Sequence, residues 1–269
     1  MAIKGNIQTK LASHLLLLLP VFLFLGVVSC APKVKYPVSL DSERLNNVKR
    51  VAIHISQANP KIQIFDINTH SNALSKFLNE MKAGEKGMEV EGLMRGVMSE
   101  ANIKKVFGKS FTDLQAYVDN REFDDLFKTK FAEVISARHT EGIEIVFIYE
   151  DIDLNMKDFK RSLSNQKNLL RKYSAELLVD IDYIYGIAVK NPDNSHAVVR
   201  ASMNVIDLRD NSIVILRNLS SGHSNSGSKF KKYATGKSAL FKSEYVEAVG
   251  KIANSVAEVL YLRSKADKK

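Results

Sequence analysis

The sequence predicts an α/β domain in which a single mixed sheet, part of it an antiparallel meander, is covered by amphipathic helices. Three observations carry this reading. Short runs rich in β-branched residues alternate apolar and polar positions, and longer segments repeat apolar residues at helical spacing. Two turn clusters, Asn191-Pro-Asp-Asn194 and Arg209-Asp-Asn-Ser212, join three consecutive apolar arms, the pattern of hairpins in series. Composition agrees: 45% apolar and 26% charged over 269 residues is enough apolar material to fill a core. The one cysteine excludes a disulfide-stapled scaffold and a structural zinc site built on several thiolates.

Val48–Ser56, with Val51, Ile53 and Ile55 alternating, reads as the first strand, and Ile62–Ile67 as a short second one. Leu74, Phe77, Leu78 and Met81 mark a helix closed by Gly84 and Gly87, and Val90, Leu93, Met94, Val97 and Ala101 mark another. Ile103–Phe107 reads as a strand ending on Gly108. Asp119 or Asn120 caps the next helix, whose core face is Phe123, Phe127, Phe131 and Val134. Ile143–Tyr149 is of strand length, and residues 154–173 read as a basic helix. The meander follows: Ala175–Val189, Ala197–Leu208 and Ile213–Arg217. Ser220–Ser228 carries neither period and reads as a polar loop. Phe241, Tyr245, Val249, Ile252, Val256 and Val259 line one face of a long last helix.

The first thirty residues carry a separate message. Lys4 and Lys10 precede an apolar run, Leu15–Val28, of 14 residues, short of the roughly 20 that span a bilayer. A basic start, a short apolar middle and small residues at its end describe an export signal. Val27-Val28-Ser29-Cys30 resembles the bacterial lipobox, in which the cysteine sulfur is the nucleophile that takes up diacylglycerol. The expected organisation is a signal peptide over 1–29, a lipidated tether over 30–47, an α/β domain over 48–262 and a basic tail over 263–269. Cleavage before Cys30 removes Lys4 and Lys10 and leaves the mature chain at +7. Two or more acyl chains, palmitate among them, anchor stably where one does not. The expected location is a membrane, reached by lipid, with the outer membrane favoured because Ala31 rather than Asp follows the cysteine. A flexible tether of this length holds a domain roughly 20–25 Å away on average.

The order of elements resembles bacterial envelope lipoproteins that share the fold of the TolB N-terminal domain, the curli-secretion lipoprotein CsgG and the peptidoglycan-synthase activator LpoB among them. The resemblance lies in Val48–Ser56 after a lipidated tether, in Glu91–Phe107, in Lys172–Gly186, and in the hairpin Val205–Val214. Residues 119–155 are an insertion, and Asp210-Asn-Ser212 stands where the family has an acidic-glycine turn. The resemblance implies a non-enzymatic, lipid-anchored protein that binds a partner in envelope assembly or maintenance. Its alternative is a subunit of an oligomeric outer-membrane secretion channel.

No catalytic set assembles from the sequence. Gly236-Lys-Ser238 and Gly108-Lys-Ser110 lack the earlier glycine of a phosphate loop, Lys231 and Ile103 standing in its place. The histidines show no ligand spacing, so no metal and no cofactor beyond the covalent lipid is expected. His54 is read as facing solvent, and Asp180 and Asp182 as sharing one strand face toward water or a basic partner. Lys229, Lys231, Lys232 and Lys237 crowd the segment before the last helix. The plain reading is a solvated face; the sharper one is a surface for an anionic envelope protein or polymer. Nucleic acid is disfavoured despite the net charge of +9, because the leader exports the chain.

Overall fold

The computed structural model describes residues 48–66, 93–94, 96–138, 142–150, 152, 164, 171–222, 228–235 and 239–260. Among the described residues six strands form one sheet: β1 (Arg50–Gln57), β2 (Gln63–Asp66), β3 (Glu144–Ile148), β4 (Leu177–Asn191), β5 (Asn194–Asp207) and β6 (Ser212–Gly222). The order is β3-β1-β4-β5-β6, with β2 also beside β4. β1 runs parallel to β3 and β4, β2 runs parallel to β4, and β4, β5 and β6 are antiparallel neighbours. The sheet is therefore mixed, and its second half is the expected meander.

β4 sets the dimensions. Its 15 residues span about 46 Å at the usual rise per residue. One edge is shared: β1 pairs with Leu177–Tyr183 and β2 with Gly186–Val189. Between them the Ala58 N–H donates to the Tyr183 carbonyl at 2.8 Å, so the ladder continues across the gap. The re-entry of β2 is tight. A Cβ on Gly186 would sit 1.9 Å from the Gln63 carbonyl oxygen, so only glycine leaves the backbone room to approach.

The larger core lies on the face that carries Val179, Ile181, Tyr183 and Tyr185. Against it pack α3 (Asn120–Ala137) and α5 (Ala239–Val259). The stripe Phe123, Phe127, Phe131 and Ile135, four residues apart, is fully buried. The Phe127 and Tyr183 rings stack with centroids 3.8 Å apart, and Phe123 stacks on Tyr185 at 5.5 Å. Asp124 accepts the Tyr183 hydroxyl at 2.9 Å, and burial, with Tyr245 and Asp124 adding to it, pushes that phenol far above its ordinary range. On α5, Phe241, Tyr245, Val249, Ile252, Val256 and Val259 are all buried, as the sequence predicts.

Several local expectations are corrected. Ile103–Phe107 is not a strand but the end of helix α1 (Glu100–Phe107). Ser99 caps it by accepting from the Asn102 N–H at 3.4 Å, and Ile103 and Phe107, one helical turn apart, face the core. Gly108, at φ 49°, joins α1 to α2 (Lys109–Tyr117), so Gly108-Lys109-Ser110 is a helix joint. The helix expected through Val97 and Ala101 stops short. Gly96 has φ 79°, Val97 bridges to Phe65, and Met98 N–H donates to the Ile64 carbonyl at 2.8 Å. Ile135 replaces Val134 at the centre of the α3 stripe; Val134 is partly buried beside it. Ser220–Gly222 belong to β6 rather than to a loop. The leader, the tether, the helix expected over 74–84 and the basic tail lie outside the described residues, as does most of the helix expected over 154–173.

Gly186→Ala is expected to destabilise the domain by about 3 kcal/mol, the upper range for overpacking a site that cannot yield. Urea denaturation measures this; a loss below about 0.5 kcal/mol, the scale of an indifferent surface change, would mean that β2 does not approach this closely.

Candidate functional site

Two polar constellations stand out on the sheet, one buried and one exposed. The buried one crosses the second face. Pairing aligns His54 with Asp180 and Asn204, Ser56 with Asp182, Ser202 and Asn218, and Ile184 with Arg200. His54 is 3% exposed and Asp180 4%. His54 Nδ1 donates to Asp180 Oδ1 at 2.7 Å, and the Ser56 hydroxyl donates to Asp182. Arg200 lies with its guanidinium 4.0 Å from the Phe65 ring centroid and donates to the Leu93 carbonyl at 3.2 Å. Burial pushes this guanidinium down to about 10. Apolar groups flank the row on both sides: Ala52, Ile148, Leu178 and Ile206 toward the start of β4, and Phe65, Ile184 and Val198 toward its end.

The expectation that His54, Asp180 and Asp182 face water is therefore corrected for the first two, which are buried; Asp182 is partly buried. His54 shares its strand face with Ala52 and Ser56, and such a small and polar face reads as the solvated side of an antiparallel strand. In the parallel half of a sheet both faces are covered, so alternation does not mark the outside. A histidine held by a carboxylate is the base-and-orienter pair of nucleophilic catalysis. Here Ser56, the serine next on the same face, gives its hydroxyl to Asp182 rather than to the ring. Among the described residues no three His, Cys, Asp or Glu side chains gather as metal ligands.

The exposed constellation is basic. Lys229 precedes the short helix α4 (Phe230–Ala234), which carries Lys231 and Lys232, and all three lysines are exposed. Lys237 lies outside the described residues, as do Cys30 and the lipobox residues Val27, Val28 and Ser29. Residues 228–235 are held against the sheet and α1. Ser228 and Ser195 exchange main-chain hydrogen bonds of 2.8 Å, and the Phe230 N–H donates to the Pro192 carbonyl at 2.8 Å. The Phe230 ring lies 4.1 Å from that of Phe107. The Tyr233 hydroxyl donates to the Ser195 carbonyl at 2.8 Å and lies 2.9 Å from Glu244 Oε2, which also accepts from the Ala197 N–H at 2.9 Å. Burial, with Glu244 adding to it, pushes the Tyr233 phenol above its ordinary range. Sequence periodicity misses Glu244 because it sits on the core face of α5, where a carboxylate is not expected without a partner.

No protein-family model and no curated protein matches this chain. Solved structures similar to it include the hypothetical protein CT253 from Chlamydia trachomatis, at 10% identity over 77% of this chain and 98% of that one, with a TM-score of 0.29. The PelC dodecamer from Paraburkholderia phytofirmans aligns at 10% identity over 81% and 94%, with a TM-score of 0.24. Lipoprotein GNA1162 from Neisseria meningitidis aligns at 15% identity over 76% and 99%, with a TM-score of 0.21.

The buried pair gives a double-variant test. His54→Ala is expected to cost about 3–5 kcal/mol, because it leaves the Asp180 carboxylate buried without its partner. His54→Leu combined with Asp180→Leu is expected to cost less than either single change, since neither then strands a polar group. Denaturation of His54→Leu, Asp180→Leu and the double variant decides; additive losses would show that the two side chains act independently.

Proposed function

We propose that this chain is a lipid-anchored bacterial cell-envelope protein, without catalytic activity, whose α/β domain binds an envelope protein or anionic envelope polymer. The observation that carries the reading is the α4 platform: exposed Lys231 and Lys232 on a helix, with Lys229 just before it, pinned into the core by Phe230 and Tyr233. A fixed backbone presents the roots of these lysines at one spacing without the ordering cost of a floppy loop. The anchor is Cys30, supported by the lipobox resemblance of Val27-Val28-Ser29-Cys30, with the outer membrane favoured and the domain facing the periplasm. No helix among the described residues is long and apolar enough to cross a membrane. The burial of His54 and Asp180 supports a structural rather than catalytic role for that pair.

The channel alternative needs strands with one row turned to lipid. β4 and β5 are buried along both faces for most of their length, and each is committed to the core sheet. This favours the binding domain over the channel subunit.

Wild type is expected to incorporate labelled palmitate and Cys30→Ala to lose it; equal labelling would remove the anchor from the reading. Changing Lys229, Lys231, Lys232 and Lys237 to Gln is expected to leave stability within about 0.5 kcal/mol, as for exposed positions generally. The same change should weaken capture of envelope components at low salt, where exposed charges act most strongly. Undiminished capture would show that the lysines are only a solvated face.

A further inference from the structure

The sheet ends at β3, and it ends on an apolar strand. Among the described residues β3 has one neighbour, β1. The direction of the ladder decides which main-chain groups that neighbour uses. The Glu144 N–H donates to the Lys49 carbonyl at 2.7 Å. In a parallel ladder a residue sends its N–H and its carbonyl to the same side, and the next residue sends both to the other. Glu144, Val146 and Ile148 therefore bond inward, and the main-chain groups of Ile145, Phe147 and Tyr149 point out of the sheet. Exposure agrees with this. Ile145, Val146 and Phe147 are only partly buried, and Tyr149, directly after the strand, is 68% exposed.

Proteins guard such an edge with lysine, proline, a bulge or a covering element. From Ile143 to Tyr149 there is no lysine and no proline, and the one charge, Glu144, is held by Arg50 at 2.6 Å. The order of side chains selects the strand that fits. Turned about a two-fold axis through Phe147, the edge meets itself antiparallel. Phe147 then faces Phe147 of a second copy, Ile145 faces Tyr149, and Val146 faces Ile148. The outward N–H and carbonyl groups of Ile145, Phe147 and Tyr149 all find partners. Every facing pair is apolar, with an aromatic ring against a β-branched residue at both flanks. Beyond them Glu144 stands opposite Glu150, and each brings its own cation, Arg50 and Lys172, so the ends meet as neutral ion pairs. An axis at Val146 would set Glu144 against Ile148, and one at Ile145 would leave Tyr149 uncovered; the side-chain pattern selects the register. We propose that two copies of this chain associate edge to edge through β3, about a two-fold axis at Phe147, into one continuous sheet. Such an interface is isologous and closes at two. It goes beyond the binding reading and depends neither on the lipid nor on the α4 lysines.

The full chain, purified in a mild detergent, is expected to have the mass of two chains by light scattering once the detergent is subtracted, and to dissociate on dilution. Tyr149→Lys sets a charge against Ile145 at both flanks and should weaken association at least about tenfold, because two cross-strand pairs are lost. The melting temperature of the dissociated chain should not change, since this side chain is exposed. Tyr149→Pro removes an outward N–H that β1 does not use and should act alike. Introduced thiols read the register. Ile145→Cys and Tyr149→Cys chains expressed together should join by a disulfide, with Cα atoms about 5.5 Å apart in a hydrogen-bonded pair. Tyr149→Cys alone should not, because its two copies then lie four residues apart along the strands, about 14 Å. Wild type, whose one cysteine is Cys30, is the control. A single chain at every concentration, a dimer indifferent to both Tyr149 variants, or self-linked Tyr149→Cys overturns the proposal. So does a strand of another protein recovered on this edge in place of the second copy.

Discussion

A fifteen-residue strand buried on both faces must satisfy every backbone N–H and carbonyl along two edges, and that demand on β4 organises the rest of the domain. β5 covers one edge in a single antiparallel run. The other is too long for β1 alone, so the chain leaves the edge after Gln57 and returns as β2. The return is possible because residue 186 has no side chain. β2 in turn fixes Val97 and Met98 beside it, which sets where α1 starts, and α1 delivers Phe107 to Phe230. The position of the basic helix α4 thus traces back, contact by contact, to the length of one strand.

The buried polar row adds register to this arrangement. Side chains alternate along a strand, so a slip of one residue between β1 and β4 would set Ile53 or Ile55 against Asp180 and move His54 into the apolar core. Losing a 2.7 Å hydrogen bond between two groups nearly sealed from solvent leaves a buried carboxylate unpaired, among the most costly single defects a core can hold. An apolar face would pack as well in several registers. His54 with Asp180, and Ser56 with Asp182, bring about only one. At the start of β1 the same logic is repeated at the surface: Arg50 donates twice to Glu144 of β3, at 2.8 and 2.6 Å, and its N–H donates to Glu176 at 2.6 Å.

Fold class, meander and final helix are legible in the sequence because each has a long, unbroken period or a turn cluster at its boundary. The β5–β6 turn is legible too: Asn211 takes φ 60° there, a conformation asparagine adopts more readily than most residues. Ile103–Phe107 is misread because five residues hold barely one helical turn, and two lysines between apolar ends fit either period. What decides for helix is Ser99 before the run and the core contacts of Ile103 and Phe107, one local and one tertiary. His54 and Asp180 are misread for a different reason. Their burial depends on what covers the second face of the sheet, and a strand's own alternation carries no information about that. Of the candidate surface, Lys229, Lys231 and Lys232 are legible as a charge run, whereas the contacts that fix them, Tyr233 with Ser195 and Glu244 and Phe230 with Phe107, join elements distant in sequence.

That last contact changes what the charges can do. Lysines on a flexible loop respond to any acidic surface by rearranging, and each ordered side chain then draws on the binding energy. On α4 the backbone is already fixed by Pro192, Ser195, Phe230 and Tyr233, and Glu244 ties it to α5. The lysine stems keep their freedom, but the spacing between their roots does not vary. The helix is also tied into the sheet: Tyr233 meets Glu244 of α5, Glu244 accepts from the Ala197 N–H of β5, and β5 pairs with β4 along its length.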